Sequence, residues 1–196
     1  MSDFRQLNTT IPREKLEASV IGAVASALDL QPEEIELSAS MQDDLGAESL
    51  DYLDIAFQLE RKYRVQFPRE DLLERIGEHF GEGELVEGGT VSERGLELMR
   101  TAMPEIDPAR LRPGIRAYDI AGLFTVQTFV RVFDRLLAAK EQMSRECAEC
   151  GGELEDSNTL PELVCSRCKQ TVPLSSGDEV LFQDLLDLLD GKELSG

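Results

Sequence analysis

Residues 43–60 read DDLGAESLDYLDIAFQLE, and this stretch decides how the rest of the chain is read. Two acids, a Leu and a Gly-Ala pair precede Ser49 and predict a loop. A helical pattern follows. Ser is a favoured N-cap because its oxygen can accept a free N–H of the first turn. The sequence therefore places Ser49 as an N-cap, with its hydroxyl exposed where the loop meets the helix. Asp51, Asp54, Gln58 and Arg61 recur at steps of three and four and form one polar stripe. Leu50, Leu53, Ile55, Ala56, Phe57, Leu59 and Tyr63 cover most of the remaining circumference, which predicts packing on more than one neighbour. The approach to Ser49 is acidic: between residues 31 and 60 there is no Lys or Arg.

A Ser at a helix start needs no modification on capping grounds alone. Its surroundings add the functional reading. The run D-L-G-A-E-S-L-D resembles the D-L-G-A-D-S-L-D signature of acyl carrier proteins. In that family the Ser hydroxyl attacks coenzyme A and receives a 4′-phosphopantetheine arm, whose terminal thiol holds an acyl chain as a thioester. The resemblance implies that Ser49 is the attachment site. It also implies that Asp44, Glu48, Asp51 and Asp54 are acidic contacts for basic faces of partner enzymes. Glu48 stands where the family most often has Asp, and it keeps the charge with one more methylene.

Composition narrows the partners. The 196 residues carry a formal net charge of −19. Such a chain repels nucleic-acid phosphates and anionic membranes. It suits partners with basic docking faces, because opposite fields speed encounter. Solubility alone also accounts for acidity. The opening MSDFRQLNTT has neither a basic nor an apolar run, so no signal peptide is expected. No window approaches the roughly 18 apolar residues of a membrane span. A cytoplasmic protein is the resulting expectation.

The chain in order reads as mainly α. Residues 11–30 predict a first helix, with Pro12 in its first turn and Leu16, Val20, Val24 and Leu28 on one stripe. Residues 31–48 predict a long loop pinned by Ile35, Leu37, Met41 and Leu45, as functional loops of this length usually are. Phe67-Pro68 closes the second helix. Residues 69–80 predict a short third helix with Leu72, Leu73 and Ile76 inward and a solvated His79 near its end. Residues 81–89 (GEGELVEGG) read as a flexible break. Thr90 to Glu93 fits a capping box opening another helix, which stops at Pro104. Residues 105–123 read as an ordered loop crossing the surface. Thr125 is the predicted N-cap of the next helix, with Val126, Phe129, Val130 and Phe133 on its apolar stripe. Its Thr-Val-Gln start resembles the last helix of an acyl carrier protein. The resemblance thus implies a carrier domain over residues 1–142, with an insertion at about 81–123. The apolar side of helix two, with helix one and the last helix, would then line a cavity for the acyl chain.

Cys147, Cys150, Cys165 and Cys168 form two C-x-x-C pairs fourteen residues apart. The spacing is close to that of paired zinc knuckles. Zn²⁺ takes four thiolates tetrahedrally at about 2.3 Å. Leu154 and Leu163-Val164 supply short strands, so residues 143–175 read as a zinc ribbon. Two disulfides would suit a secreted protein. A redox C-x-x-C needs no second pair, and the usual ferredoxin spacings for an iron–sulfur cluster are absent. Structural zinc is favoured over all three. Residues 176–196 read as an amphipathic helix and tail, with Ser176 and Glu179 as a capping box and Gly191 as the stop. Its Leu- and Phe-rich face would dock on the ribbon or the carrier core, or else bind a partner or a second copy.

The expected function is therefore an acyl carrier that is charged by a phosphopantetheinyl transferase and serves fatty acid, lipid or polyketide enzymes. It would not itself be an enzyme. The alternative is a non-catalytic interaction module in which the ribbon and the last helix recruit a partner.

Overall fold

The computed structural model describes residues 9–81 and 83–190. Three long helices build the main core: α1 (Arg13–Leu28), α2 (Ser49–Tyr63) and α5 (Val126–Gln142). Leu16, Val20 and Val24 of α1 are fully buried against Ile55 and Leu59 of α2 and Phe129, Val130 and Phe133 of α5. Burial of each such side chain contributes roughly 1.5–3 kcal/mol relative to leaving it in water. Pro12 caps α1 and does not lie in its first turn. Asp29 and Arg64, both left-handed, end α1 and α2.

The long loop is tied down as its apolar residues require. Ile35 and Met41 are buried, and Leu37 and Leu45 pack beside them. The same loop is hydrogen-bonded to the start of α5. Met41 N–H donates to Phe124 O at 2.9 Å, Val126 N–H to Ala39 O at 3.1 Å and Gln127 N–H to Leu37 O at 2.8 Å. Thr125 caps α5 as expected, through its side-chain oxygen and Thr128 N–H. A run of rings fills the space between α2 and α5. Phe67 stacks on Phe129 and Phe133 with centroids 5.6 and 5.5 Å away, and Tyr52 meets Phe129 at 6.0 Å. The gap expected to hold an acyl chain behind α2 is thus occupied by aromatic side chains.

α3 (Leu72–Phe80) begins at Leu72, three residues later than the sequence predicts, with Ile76 buried and His79 exposed. Residues 81–123 then depart from expectation in three ways. The Gly-rich break carries a β-hairpin, β1 (Val86–Glu87) with β2 (Thr90–Val91). Its turn is Gly88-Gly89, with both φ angles positive, the geometry a two-residue hairpin needs. The next helix, α4 (Glu93–Ala102), is capped by Ser92, whose hydroxyl accepts Gly95 N–H; Thr90 lies in a strand. Finally, residues 103–123 do not merely cross the surface. Ile106, Leu111, Ile120 and Leu123 are buried with Val91, Leu96 and Met99 in a second core, and the segment ends in a 3-10 turn, Ala117–Leu123. Helical periodicity missed this core because its members come from irregular backbone.

The cysteine-rich region forms a three-stranded antiparallel sheet of β3 (Leu154–Asp156), β4 (Glu162–Cys165) and β5 (Thr171–Pro173). Lys140 near the end of α5 joins it to the helices through Asp156, at 3.2 Å. The last element, α6 (Gly177–Leu189), is capped by Ser176 with Glu179, as expected, and folds back on α3, α4 and α5. The expected stop at Gly191 lies outside the described residues, as do residues 1–8. Asp178 accepts the N–H groups of Arg69 and Glu70 at 2.7 and 2.8 Å, just ahead of α3. Arg135 of α5 pairs with Asp184 through Nε and Nη2.

Gly177 packs tightly on the backbone that follows α2. A Cβ there would lie 2.4 Å from Gln66 O and 2.5 Å from Pro68 N, both backbone atoms. Gly177→Ala should therefore cost roughly 1–3 kcal/mol, the usual penalty of overpacking. A lowered urea midpoint is the expected reading. An unchanged midpoint would mean that α6 is not seated there.

Candidate functional site

The site is built at the N-terminus of α2. Glu48 holds the cap position and Ser49 is the first helical residue, so α2 starts one residue earlier than predicted. The reason is that Asp51 reaches back to accept Glu48 N–H at 2.7 Å, which fixes Glu48 outside the helix. Ser49 is exposed. Just before it, Gly46 adopts a positive φ of 70°, and Ala47 N–H donates to Met41 O at 2.8 Å. The turn that presents Ser49 is thereby anchored to the buried Met41. Free N–H groups and the dipole of the first turn favour an anion beside the hydroxyl.

The four acids read as docking residues all lie near Ser49 and differ in their roles. Asp44 accepts Ser40 N–H at 2.8 Å and braces the loop. Asp51 completes the cap. Asp54 accepts from Gln58 at 2.9 Å, and Glu48 is exposed. Between them stands a feature that the sequence reading assigned to the interior. Leu50, Leu53 and Phe57 are 76, 51 and 54 % exposed. They follow one another on a single face of α2, turned to solvent. Periodicity cannot separate an apolar side chain that is buried from one left open for contact, and contiguous exposed apolar residues mark interaction sites.

A second missed feature faces Ser49 across an open cleft of about 1,430 Å³. Its far wall comes from the 81–123 segment and carries Arg110 and Arg112. Arg110 pairs with Asp43 at 2.6 Å, and Arg112 is exposed. Tyr52, one turn after Ser49, donates to Ala121 O at 3.4 Å. Burial first, and Asp43 second, push this phenol up to about 12, so it stays a donor. The R-L-R run was the available signal, as a basic pair in a strongly acidic chain.

The four cysteines come together. All four sulfurs lie within 4.8 Å of one another, with Cys147 to Cys168 at 3.7 Å and Cys150 to Cys165 at 3.5 Å. A tetrahedron of thiolates about 2.3 Å from zinc has edges of about 3.8 Å, whereas a disulfide needs about 2.05 Å. The donor set and its spacing fit a four-thiolate metal. The backbone N–H of Cys168, 3.4 Å from the Cys165 sulfur, draws that thiol down to about 6, while Cys168, against the pull of the Gln170 N–H, is pushed up to about 12 by the sulfurs of Cys150 and Cys165. Gly152 leaves room for this packing, since a Cβ there would meet the Cys165 and Cys150 sulfurs at 3.0 and 3.2 Å.

The site is an exposed hydroxyl at the head of α2, behind an anchored loop and beside an acidic and apolar face. The family described as "Phosphopantetheine attachment site" matches residues 18–77. The acyl carrier protein of Chlorobium phaeovibrioides is 33% identical over 63 residues, covering 32% of this chain and 80% of that protein. The meromycolate extension acyl carrier proteins of Mycobacterium leprae and Mycobacterium bovis are each 36% identical over 62 residues, 32% of this chain and 54% of theirs. No solved structure gives a significant match. The chain belongs to the acyl carrier protein family, with further segments before and after α5. Among the described residues, no helix is long and apolar enough to cross a membrane.

Proposed function

We propose that Ser49 takes a 4′-phosphopantetheine arm from a phosphopantetheinyl transferase, and that the protein presents acyl thioesters to enzymes of fatty acid, lipid or polyketide assembly. The observation that carries the reading is the exposed Ser49 hydroxyl, held by an anchored loop at the head of α2 and facing the open cleft. When bound, the arm supplies a thiol that holds acyl groups as thioesters. The chain's own residues do the rest. Ser49 Oγ is the attachment atom. The first-turn N–H groups of α2, with Arg110 and Arg112, favour the phosphate. Asp44, Glu48, Asp51 and Asp54 steer basic partners, and Leu50, Leu53 and Phe57 give the docked complex apolar contact.

In this reading the carrier unit is residues 1–142 with 81–123 inserted, and residues 143–175 are a zinc ribbon. The metal would be held by Cys147, Cys150, Cys165 and Cys168. A closed four-thiolate site has no open position for substrate, so its role is structural. Thiols kept for a metal suit the cytoplasm. Intact mass after incubation with coenzyme A and a broad-specificity transferase tests the central claim. A gain of one phosphopantetheinyl group is expected. A folded, metal-loaded protein that gains nothing overturns the reading.

A further inference from the structure

A second cavity, of about 590 Å³, lies beside α5 and borders the main core at Phe67 and Phe129. It is walled by α3, α4, the 3-10 turn, α5 and α6. Leu73, Met99, Ile120, Phe129, Leu185 and Leu188 give it an apolar lining. Two ion pairs close its edges. Arg131 pairs with Glu105 at 3.1 Å, and Arg135 pairs with Asp184; all four side chains are largely shielded from solvent. The volume falls within the roughly 300–1,000 Å³ of small-molecule sites.

Tyr118 and Ala121 line both this cavity and the cleft at Ser49, so the two spaces meet at these residues. The Tyr52 hydroxyl, bonded to Ala121 O, ties the junction to α2. Tyr118 is 72 % exposed, so its ring stands at the junction and is not packed into either core. The space behind α2 is filled by the ring stack of Tyr52, Phe67, Phe129 and Phe133. An alkyl chain attached near Ser49 therefore has an apolar destination on the far side of this junction.

We propose that long acyl chains carried on Ser49 pass Tyr118 and Ala121 and lie in the cavity between α4, α5 and α6, so that the 81–123 segment and the C-terminal helix form the acyl-chain site. This rests on the reading of Ser49 as the arm's attachment point. Transfer of methylenes out of water drives the occupancy. Short acyl groups stay in the cleft, and long ones are withdrawn from solvent.

The test compares full-length, metal-loaded protein charged with acetyl- or hexadecanoyl-phosphopantetheine, and follows thioester cleavage by hydroxylamine. The hexadecanoyl form should react at least about tenfold more slowly, because burying roughly two methylenes is already worth that factor. Ala102→Trp on α4 and Leu185→Trp on α6 fill the cavity from two of its walls. With arm loading unchanged, each should remove most of the difference. A measurement without variants accompanies them. The methyl resonances of Met99 and Ala102 should shift on hexadecanoyl loading and stay put on acetyl loading. Equal cleavage rates on loaded protein overturn the cavity proposal alone, as do shifts confined to methyls of α1 and α2. A chain that takes up no arm overturns this proposal together with the reading of Ser49.

Discussion

Ser49→Ala should take up no phosphopantetheine and should melt with the parent protein. The first half follows from chemistry, since no other hydroxyl stands at the head of α2 in the family's position. The second half follows from the cap. The bond that starts α2 runs from Glu48 N–H to the Asp51 carboxylate and does not involve the Ser49 side chain. Ser49 is exposed, and Ala is the better helix former inside the first turn. The stability change should stay within about 0.5 kcal/mol, as for surface substitutions away from special features. Had Ser49 been the N-cap, the same change would have cost about 1 kcal/mol. Mass spectrometry and a thermal melt on one sample separate loading from folding. A variant that still gained the arm would remove Ser49 from the site.

The second large effect is expected in the ribbon. On the proposed zinc reading, Cys165→Ser, or a strong chelator, should release the metal and unfold residues 147–173 while α1, α2 and α5 stay folded. The ribbon's buried apolar residues besides its cysteines are Leu154 and Leu163, with Met143, Val172 and Leu174 partly covered. So small a core cannot order about thirty residues by itself. Binding of zinc to such thiolate sites contributes roughly 10–16 kcal/mol, enough to fold it. The helical core does not depend on this, because its buried cluster contains no ribbon residue, and the pair of buried Lys140 with half-exposed Asp156 lies at its edge. α6 keeps its own attachments at Gly177, Asp178 and Asp184. Amide exchange would report the outcome residue by residue. Ribbon amides that stayed protected without metal would show that the strands fold unaided.

The parts legible in the sequence were those with local causes. The α1 stripe, the Thr125 and Ser176 caps and the cysteine pairs each depend on residues a few positions apart, and each has its counterpart in the structure. What escaped has partners far along the chain. Arg110 meets Asp43 across 67 positions, and Asp178 meets Arg69 across 109. No spacing rule links such residues. Ser49 was misplaced by one position because Asp51 reaches back to the Glu48 N–H and makes Glu48 the cap, a bond that side-chain reach decides. Leu50, Leu53 and Phe57 were assigned to the interior because hydrophobicity records a preference for leaving water and does not say for which surface.

The hydrogen bonds between the Ser49 loop and the start of α5 bear on how small this carrier can be made. Met41 and Leu37 find their partners at Phe124 and Gln127, far beyond the last residue that the family comparison matches. A fragment cut to residues 18–77 would contain Ser49 but lack the brace that positions its loop. During synthesis the loop is likewise unbraced until the chain beyond position 127 has emerged. Distant pairings of this kind slow folding. On the proposed reading, charging of Ser49 in its anchored geometry accordingly waits for the chain beyond position 127, and any shortened version used in a fused or engineered pathway has to retain the start of α5.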